Sequence, residues 1–133
     1  MQRPWRNIVM ASVVLLLLLL GTSSTLAQDA VVRFYLFYSE TCPHCEDLME
    51  TYLPTVYERY GDQVEYEYLN IHGNTDLYLA MLGLQTKLGV PDDEQGYVPA
   101  LVIGDKVLVG GQEIPEKLEG YIDEYMAAGG VEY

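Results

Sequence analysis

Positive charge is scarce in this sequence. Only 7 of its 133 residues are Lys or Arg, against 20 Asp or Glu, so the formal net charge is −13 at pH 7. All 20 acids and five of the seven bases lie within residues 28–133, which gives that segment a formal charge of −15. Nucleic-acid binding needs the opposite sign, so we exclude that class of function, and charge-driven docking on an anionic membrane is disfavoured. The acidity is typical of a well-solvated surface; the alternative is that it selects basic partners.

Metal-ligating residues are also few. The chain has two cysteines and two histidines, which are Cys42, Cys45, His44 and His72. A structural zinc site needs four ligands, and the His44 ring, between the two cysteines, is badly placed to join both thiolates on one ion. A purely structural disulfide is disfavoured because so short a loop removes little entropy from the unfolded chain. We therefore expect no metal and no cofactor and favour redox chemistry for the cysteine pair, with zinc and a structural disulfide as alternatives.

Residues 1–27 have the layout of a targeting segment. Two arginines precede an apolar run over residues 8–20 that only Ser12 interrupts, and Thr25-Leu26-Ala27 offers small residues where a signal peptidase reads. This layout predicts a secretory signal peptide. The alternative is an uncleaved N-terminal membrane anchor, although the run is shorter than the roughly 20 apolar residues that a span needs. Either way, residues 28–133 are expected to form one domain outside the cytoplasm, in the periplasm or cell envelope or secreted.

Residues 28–133 alternate between strand and helix patterns. Residues 31–38 (VVRFYLFY) are apolar almost throughout, which predicts a strand buried on both faces. Further along, the patterns predict a helix over 43–60 kinked at Pro54, a strand over 63–71, a helix from about 75 to 88, a hairpin of strands 100–103 and 106–109 with Gly104 first in a type II′ turn, and a helix over 114–126. The order β-α-β-α-β-β-α predicts an α/β fold with a mixed four-stranded sheet and flanking helices.

Cys42 stands where the first helix is predicted to begin, with Pro43 in its first turn. The unsatisfied backbone N–H groups and the positive end of the helix dipole at such a position favour a thiolate, which is the nucleophile in disulfide exchange. Cys45 lies one turn further along, close enough to attack a mixed disulfide on Cys42. We therefore predict that both cysteines are catalytic, with Cys42 attacking and Cys45 resolving.

These features resemble the thioredoxin-like superfamily along nearly all of residues 28–133. The resemblance is carried by RFYLFYSE leading into TCPHC, by Pro54, and by the later segment GYVPALVIGDKVLVGG. It implies a thioredoxin-like domain in which Val98-Pro99 is a cis-proline site that presents backbone groups to a substrate strand; an ordinary trans proline is the alternative. It also implies a thiol–disulfide oxidoreductase acting on cysteine pairs of partner proteins. We expect a monomer. The predicted location outside the cytoplasm, together with the resemblance, also implies a membrane protein as redox partner.

The dipeptide Pro43-His44 and the compact layout of the domain that contains it indicate opposite directions of electron flow. The dipeptide is similar to that of bacterial periplasmic dithiol oxidants, where the histidine stabilises the reduced thiolate and so raises the reduction potential. The compact layout instead resembles small thioredoxin units of the cytochrome c biogenesis type, which often work as reductases. We predict that Pro43 and His44 modulate the active site, and both directions stay open. The alternative for His44 is an exposed turn residue without a redox role.

One position departs from the thioredoxin-like pattern. Many members have a buried acid six residues before the first cysteine, where it shuttles protons to the resolving thiol, and this chain has Leu36 there. Glu40 is near the motif but is expected to be exposed at the strand end, so proton transfer at Cys45 has no assigned group. The competing function is a non-catalytic binding or adaptor domain, which retention of both cysteines disfavours. A glutathione-linked enzyme or peroxidase is weaker still, because nothing in the sequence marks such a site.

Overall fold

The computed structural model describes residues 31–131. The predicted signal or anchor segment, residues 1–27, lies outside the described residues. Within 31–131, no helix is both long enough and apolar enough to cross a membrane. The elements in chain order are β1 (Val32–Tyr38), α1 (Pro43–Asp47), a π-helical segment (Leu48–Tyr52), α2 (Leu53–Tyr60), a 3₁₀ turn (Gly61–Gln63), β2 (Val64–Asn70), α3 (Thr75–Lys87), β3 (Ala100–Ile103), β4 (Lys106–Val109) and α4 (Glu113–Ala127).

The strands form one mixed sheet in the order β2-β1-β3-β4. β1 is parallel to β2 and antiparallel to β3, and β3 is antiparallel to β4. The predicted α/β fold, with its four-stranded mixed sheet and flanking helices, is confirmed. In the hairpin, Gly104 has a φ of +54°, whereas no residue other than glycine in 31–131 has a positive φ. This agrees with the predicted type II′ turn, in which only the first central residue needs a positive φ.

Side chains alternate along β1 and divide the core into two clusters. Val32, Phe34 and Leu36 point to one face and Phe37 to the other. The first cluster lies under α2 and α4, which contribute the buried residues Leu53, Val56, Tyr60, Ile114, Leu118 and Ile122. The second cluster lies under α3 and joins Phe37 to Met81, Ala100 and Val102. Because β1 is packed on both faces, its position in the fold is fixed. The cysteine motif that follows its last residue is therefore held in a defined place.

The helix that begins at Pro43 is interrupted just before Pro54, where the sequence predicts a kink. Proline has no N–H, and its ring clashes with the carbonyl four residues earlier in an α-helix. The chain has a π-helical stretch directly before Pro54, in which the N–H of Leu53 donates to the carbonyl of Leu48, five residues back. Leu48 and Leu53 are both buried. The interruption therefore keeps the apolar side of the helix on the sheet while it accommodates the proline.

The chain after α4 returns to the sheet beside the start of β1. Val131 forms a parallel bridge with Val32. Its N–H donates to the carbonyl of Val31 at 2.9 Å, and its carbonyl accepts the N–H of Arg33 at 2.9 Å. Gly130 permits this approach, because its φ is +97° and a Cβ there would lie 2.5 Å from the Val31 carbonyl oxygen. These bonds connect the end of α4 to β1.

We expect Gly130→Ala to destabilise the protein more than Gly129→Ala. Both glycines have a positive φ, +97° and +102°, so an alanine at either position is strained. Only at 130 does the added Cβ meet backbone; at 129 it meets nothing within 4 Å. The free energy of unfolding should be lower for Gly130→Ala by about 1 kcal/mol or more, as measured by chemical denaturation of the two variants. Equal losses would contradict the proposed role of the close approach.

Candidate active site

Cys42 lies at the junction between β1 and α1. Its N–H donates to the carbonyl of Ser39 at 3.0 Å, which closes the turn that follows β1. Its backbone is extended, with φ −100° and ψ 108°, and Pro43 is the first helical residue. The Cys42 side chain makes no capping hydrogen bond to the helix, so its sulfur is directed elsewhere. Cys42 is partly exposed, whereas Cys45 is fully buried, and both are free thiols.

The burial of Cys45 determines its protonation. Burial and, to a lesser extent, a hydrogen bond with the Cys42 side chain together raise the pKa of the Cys45 thiol from 9.0 to about 12, against a smaller opposing effect of a backbone hydrogen bond at Ser39. Desolvation disfavours the charged form of any thiol in this way. At neutral pH, Cys45 is therefore a neutral thiol that shares a hydrogen bond with the more accessible sulfur.

The segment before β3 lies against the Cys42 sulfur. The Val98-Pro99 peptide bond is cis, and the Cys42 Sγ donates to the carbonyl oxygen of Val98 at 3.6 Å. Pro99 is buried, and its carbonyl accepts the N–H of Gly110 at 2.8 Å. The structure therefore brings the two sequence-predicted parts of the site together, since Val98 and Pro99 adjoin the cysteine motif.

His44 is exposed and lies against the turn that follows β4. A Cβ placed on Gly111 would be 3.4 Å from the His44 Cβ and 3.8 Å from its Nδ1. Pro43 is also exposed. No sequence pattern connects His44 with Gly111, because the contact depends on how β4 leads into α4.

The polar loop before Val98 is held by two glutamines that sequence reasoning missed. Gln85 is fully buried, and its Oε1 accepts the N–H of Gly96 at 2.8 Å. The Nε2 of Gln95 donates to the carbonyl of Val90 at 2.8 Å, and its Oε1 accepts the hydroxyl of Thr86 at 3.0 Å. These bonds fasten residues 90–96 to α3. The available signal for Gln85 was its position one helical turn after a buried methionine on the apolar face of α3.

An open groove of about 880 Å³ extends from the motif. Its sides are formed by His44 and Asp47, by residues 97–99, and by residues 109–113 at the end of β4 and the start of α4. Cys42 does not line the groove. Its sulfur, however, forms a hydrogen bond with the carbonyl of Val98, and Val98 is one of the lining residues. The charged lining residues are four acids and one base: Asp47, Glu94, Glu113, Glu116 and Lys117.

Glu113 has a structural role in one side of this groove. Its Oε2 accepts the N–H of Val109 at 2.8 Å, and its Oε1 accepts the Lys117 ammonium at 2.7 Å. Burial alone would raise the pKa of Glu113, but the hydrogen bonds from Lys117 and Val109 outweigh it and hold the pKa below its usual range. Glu113 therefore remains ionised and joins the end of β4 to the first turn of α4.

No carboxylate occupies the position expected for a proton shuttle. Leu36 is fully buried within the first core cluster. Glu40 is exposed, accepts the Asn70 side-chain amide at 3.3 Å, and has an oxygen 3.8 Å from the Nε2 of His72. Among residues 31–131, no three His, Cys, Asp or Glu side chains are grouped so that they could hold a metal ion.

Comparison with known proteins finds similarity in structure but not in sequence. No protein-family profile matches the chain, and no curated protein matches it. Among solved structures, the holo form of glutaredoxin C1 from Populus tremula × tremuloides is 20% identical with a TM-score of 0.46, covering 77% of this chain and 84% of its own. The germline-specific thioredoxin Deadhead from Drosophila melanogaster is 14% identical with a TM-score of 0.45, covering 74% and 83%. With TM-scores below 0.5, neither likeness supports an inference about activity.

The raised pKa of Cys45 predicts that the reduced protein loses stability at alkaline pH. The folded thiol stays neutral up to about pH 12, whereas in the unfolded chain it ionises from about pH 9. Its contribution is therefore complete below pH 9 and is lost as the pH rises toward 12, by at most about 1.4 kcal/mol per pH unit. Chemical denaturation under reducing conditions at pH 7–10.5 should show a steeper decline for the native sequence than for Cys45→Ala. Parallel declines would contradict this assignment.

Proposed function

We propose that this chain is a thiol–disulfide oxidoreductase in which Cys42 attacks and Cys45 resolves. The observation that carries the proposal is the difference between the two sulfurs. Cys42 is partly exposed at a helix start and lies 3.6 Å from the Val98 carbonyl, whereas Cys45 is buried and its pKa is raised to about 12. A substrate has to reach the attacking sulfur, whereas the resolving sulfur has to remain unreactive until a mixed disulfide forms.

The proposed reaction proceeds in two balanced exchanges. The Cys42 thiolate attacks one sulfur of a substrate disulfide, the S–S bond of the substrate breaks, and one substrate thiolate leaves and takes a proton. Cys45 then loses its proton and attacks the Cys42 sulfur, so that the mixed disulfide breaks and the second substrate thiolate leaves. The substrate gains two electrons and two protons, and the protein retains a Cys42–Cys45 disulfide. Run in reverse, the same steps oxidise a substrate dithiol.

Val98 and Pro99 are proposed as the substrate-binding wall. Their support is position: the Val98 carbonyl faces the Cys42 sulfur, and Pro99 is fixed by the bond from Gly110. A polypeptide chain lying along this wall would place its own cysteine next to Cys42. Extended backbone is well suited to such a site, because main-chain hydrogen bonds can be made whatever the side chains are.

The proposal includes a location outside the cytoplasm. Its support is the sequence of residues 1–27, whose basic start, apolar run and small residues are typical of a secretory signal. Stable disulfides, the proposed substrates, are also found mainly in proteins of oxidising compartments. The proposed partners are cysteine-containing proteins and a membrane redox protein that restores the Cys42–Cys45 pair, with the chain acting as a monomer.

Single serine substitutions should separate the roles of the two cysteines. Cys42→Ser removes the attacking sulfur and should abolish catalysed reduction of insulin disulfides by dithiothreitol. Cys45→Ser leaves the attack intact but blocks resolution, so a covalent mixed disulfide with substrate should accumulate and be seen by mass spectrometry. Activity retained in Cys42→Ser would contradict the proposal. An inert native protein would instead favour the non-catalytic adaptor function.

Replacing His44 tests the proposed control of electron flow. A histidine that stabilises the reduced thiolate raises the reduction potential, so His44→Ala should lower the potential of the Cys42–Cys45 pair by about 30 mV or more. Since His44 is exposed, the substitution should leave the fold intact. Equilibration with glutathione buffers measures both proteins, and an unchanged potential would contradict the role of His44. In the native protein, a value near about −270 mV would indicate a reductant and one near about −120 mV an oxidant.

A further inference from the structure

We infer that the groove beside the motif selects basic polypeptides, in which Lys or Arg residues flank the reacting cysteine. The inference rests on the proposed function and deepens it by naming the substrate class. It depends on three features of the groove: its position and size, its unbalanced charge, and one exposed aromatic ring.

The groove is continuous with the proposed active site. Its lining includes His44 of the motif and both Val98 and Pro99 of the proposed substrate wall. Its volume of about 880 Å³ lies toward the upper end of the range for small-molecule sites, and it is open to solvent. A small thiol would leave most of it empty, whereas several residues of an extended chain would fill it. The shape therefore favours a polypeptide whose residues beside the cysteine also contact the protein.

The charge in the groove is not balanced by the protein itself. Four carboxylates face one ammonium, and that ammonium, of Lys117, is held at 2.7 Å by Glu113. Within residues 31–131, Asp47 and Glu94 form no ion pair. The nearest partner of the Asp47 carboxylate is the Thr51 hydroxyl, at 3.4 Å. A ligand with positive charge would complement these acids, because a cleft lined by charge of one sign concentrates ligands of the opposite sign.

Tyr97 provides a second, independent feature of the same groove. It lines the groove and is 63% exposed, although the segment that carries it leads directly into buried Pro99. An exposed tyrosine ring favours a cation above its face, and the aliphatic stems of Lys and Arg can pack on its edge. An aromatic ring next to carboxylates therefore fits a basic side chain better than an acidic or purely apolar one.

The same charge disfavours glutathione as the substrate. Glutathione has two carboxylates and one ammonium, so it carries net negative charge at neutral pH and would be repelled by the acids of the groove. Like charges placed together reduce association with the wrong partner. The inference thus separates polypeptide exchange from the glutathione-linked chemistry that the sequence left as a weak alternative.

The test compares three disulfide substrates at low ionic strength. Two are peptide disulfides of equal length, one with Lys and Arg and the other with Glu and Asp around the cysteine; the third is neutral hydroxyethyl disulfide. We expect kcat/KM for the basic peptide to exceed that for the acidic peptide by about tenfold or more, and the ratio to shrink at high salt because the charges are screened. A ratio near one would overturn the inference about basic substrates. Activity on the neutral disulfide in that case would still support the proposed function. No reaction with any of the three would overturn both.

Matched triple variants locate the effect in the groove. The groove variant Asp47→Asn/Glu94→Gln/Glu116→Gln leaves Glu113 in place and should bring the basic-to-acidic ratio close to one. The control variant removes three exposed acids that lie outside the groove, and it should retain the native ratio: Glu58→Gln/Asp62→Asn/Glu67→Gln. Both variants change the net charge equally, so overall charge cannot explain a difference between them. If the control lost the preference as fully as the groove variant, the assignment to the groove would be wrong.

Discussion

The contact between the Cys42 sulfur and the Val98 carbonyl joins two parts of the chain that are 56 residues apart. It follows from the pairing of the sheet. β3 runs antiparallel to β1, with Phe37 opposite Ala100, so the residues just before β3 lie beside those just after β1. The motif and the proline segment therefore meet at the same edge, and the groove begins there. Without that pairing, the cysteines would still lie at the start of a helix, but Val98 and Pro99 would not lie beside them.

The two cysteine thiols differ in solvent exposure, because their positions in the fold place them at different depths below the surface. Cys42 is in the first, partly exposed position, whereas Cys45 is one turn into the helix and fully buried. Burial keeps Cys45 protonated, and no Asp or Glu among residues 31–131 forms a hydrogen bond with its thiol. Leu36 fills the core where a proton shuttle would be expected, and Glu40 is engaged at the surface with Asn70. The side chain that forms a hydrogen bond with the Cys45 thiol is that of Cys42.

Only folding gathers some of the acidic residues of the chain at one place on the surface. As composition, an excess of acids is a property of the whole surface and is accounted for by solvation. Folding places Asp47, from the first helix, in the lining of the same groove as Glu94 and Glu116, from two later segments, and it pairs the single base of the groove with Glu113. What remains is a negative surface beside the cysteine motif, and the proposed selection of basic substrates depends on it.

The sequence by itself determined the local elements and the reactive residues. An apolar run, a proline after a cysteine, and a glycine at the hairpin turn each depend on neighbours within a few residues. The order of helices and strands along the chain, the helix start at Pro43 and the chemistry expected of Cys42 could therefore all be predicted. Tertiary structure alone decided the burial of Gln85 beneath the loop, the contact of His44 with Gly111, the raised pKa of Cys45 and the acidic groove. Each of these depends on contacts between distant segments, and no local pattern records which segments will meet.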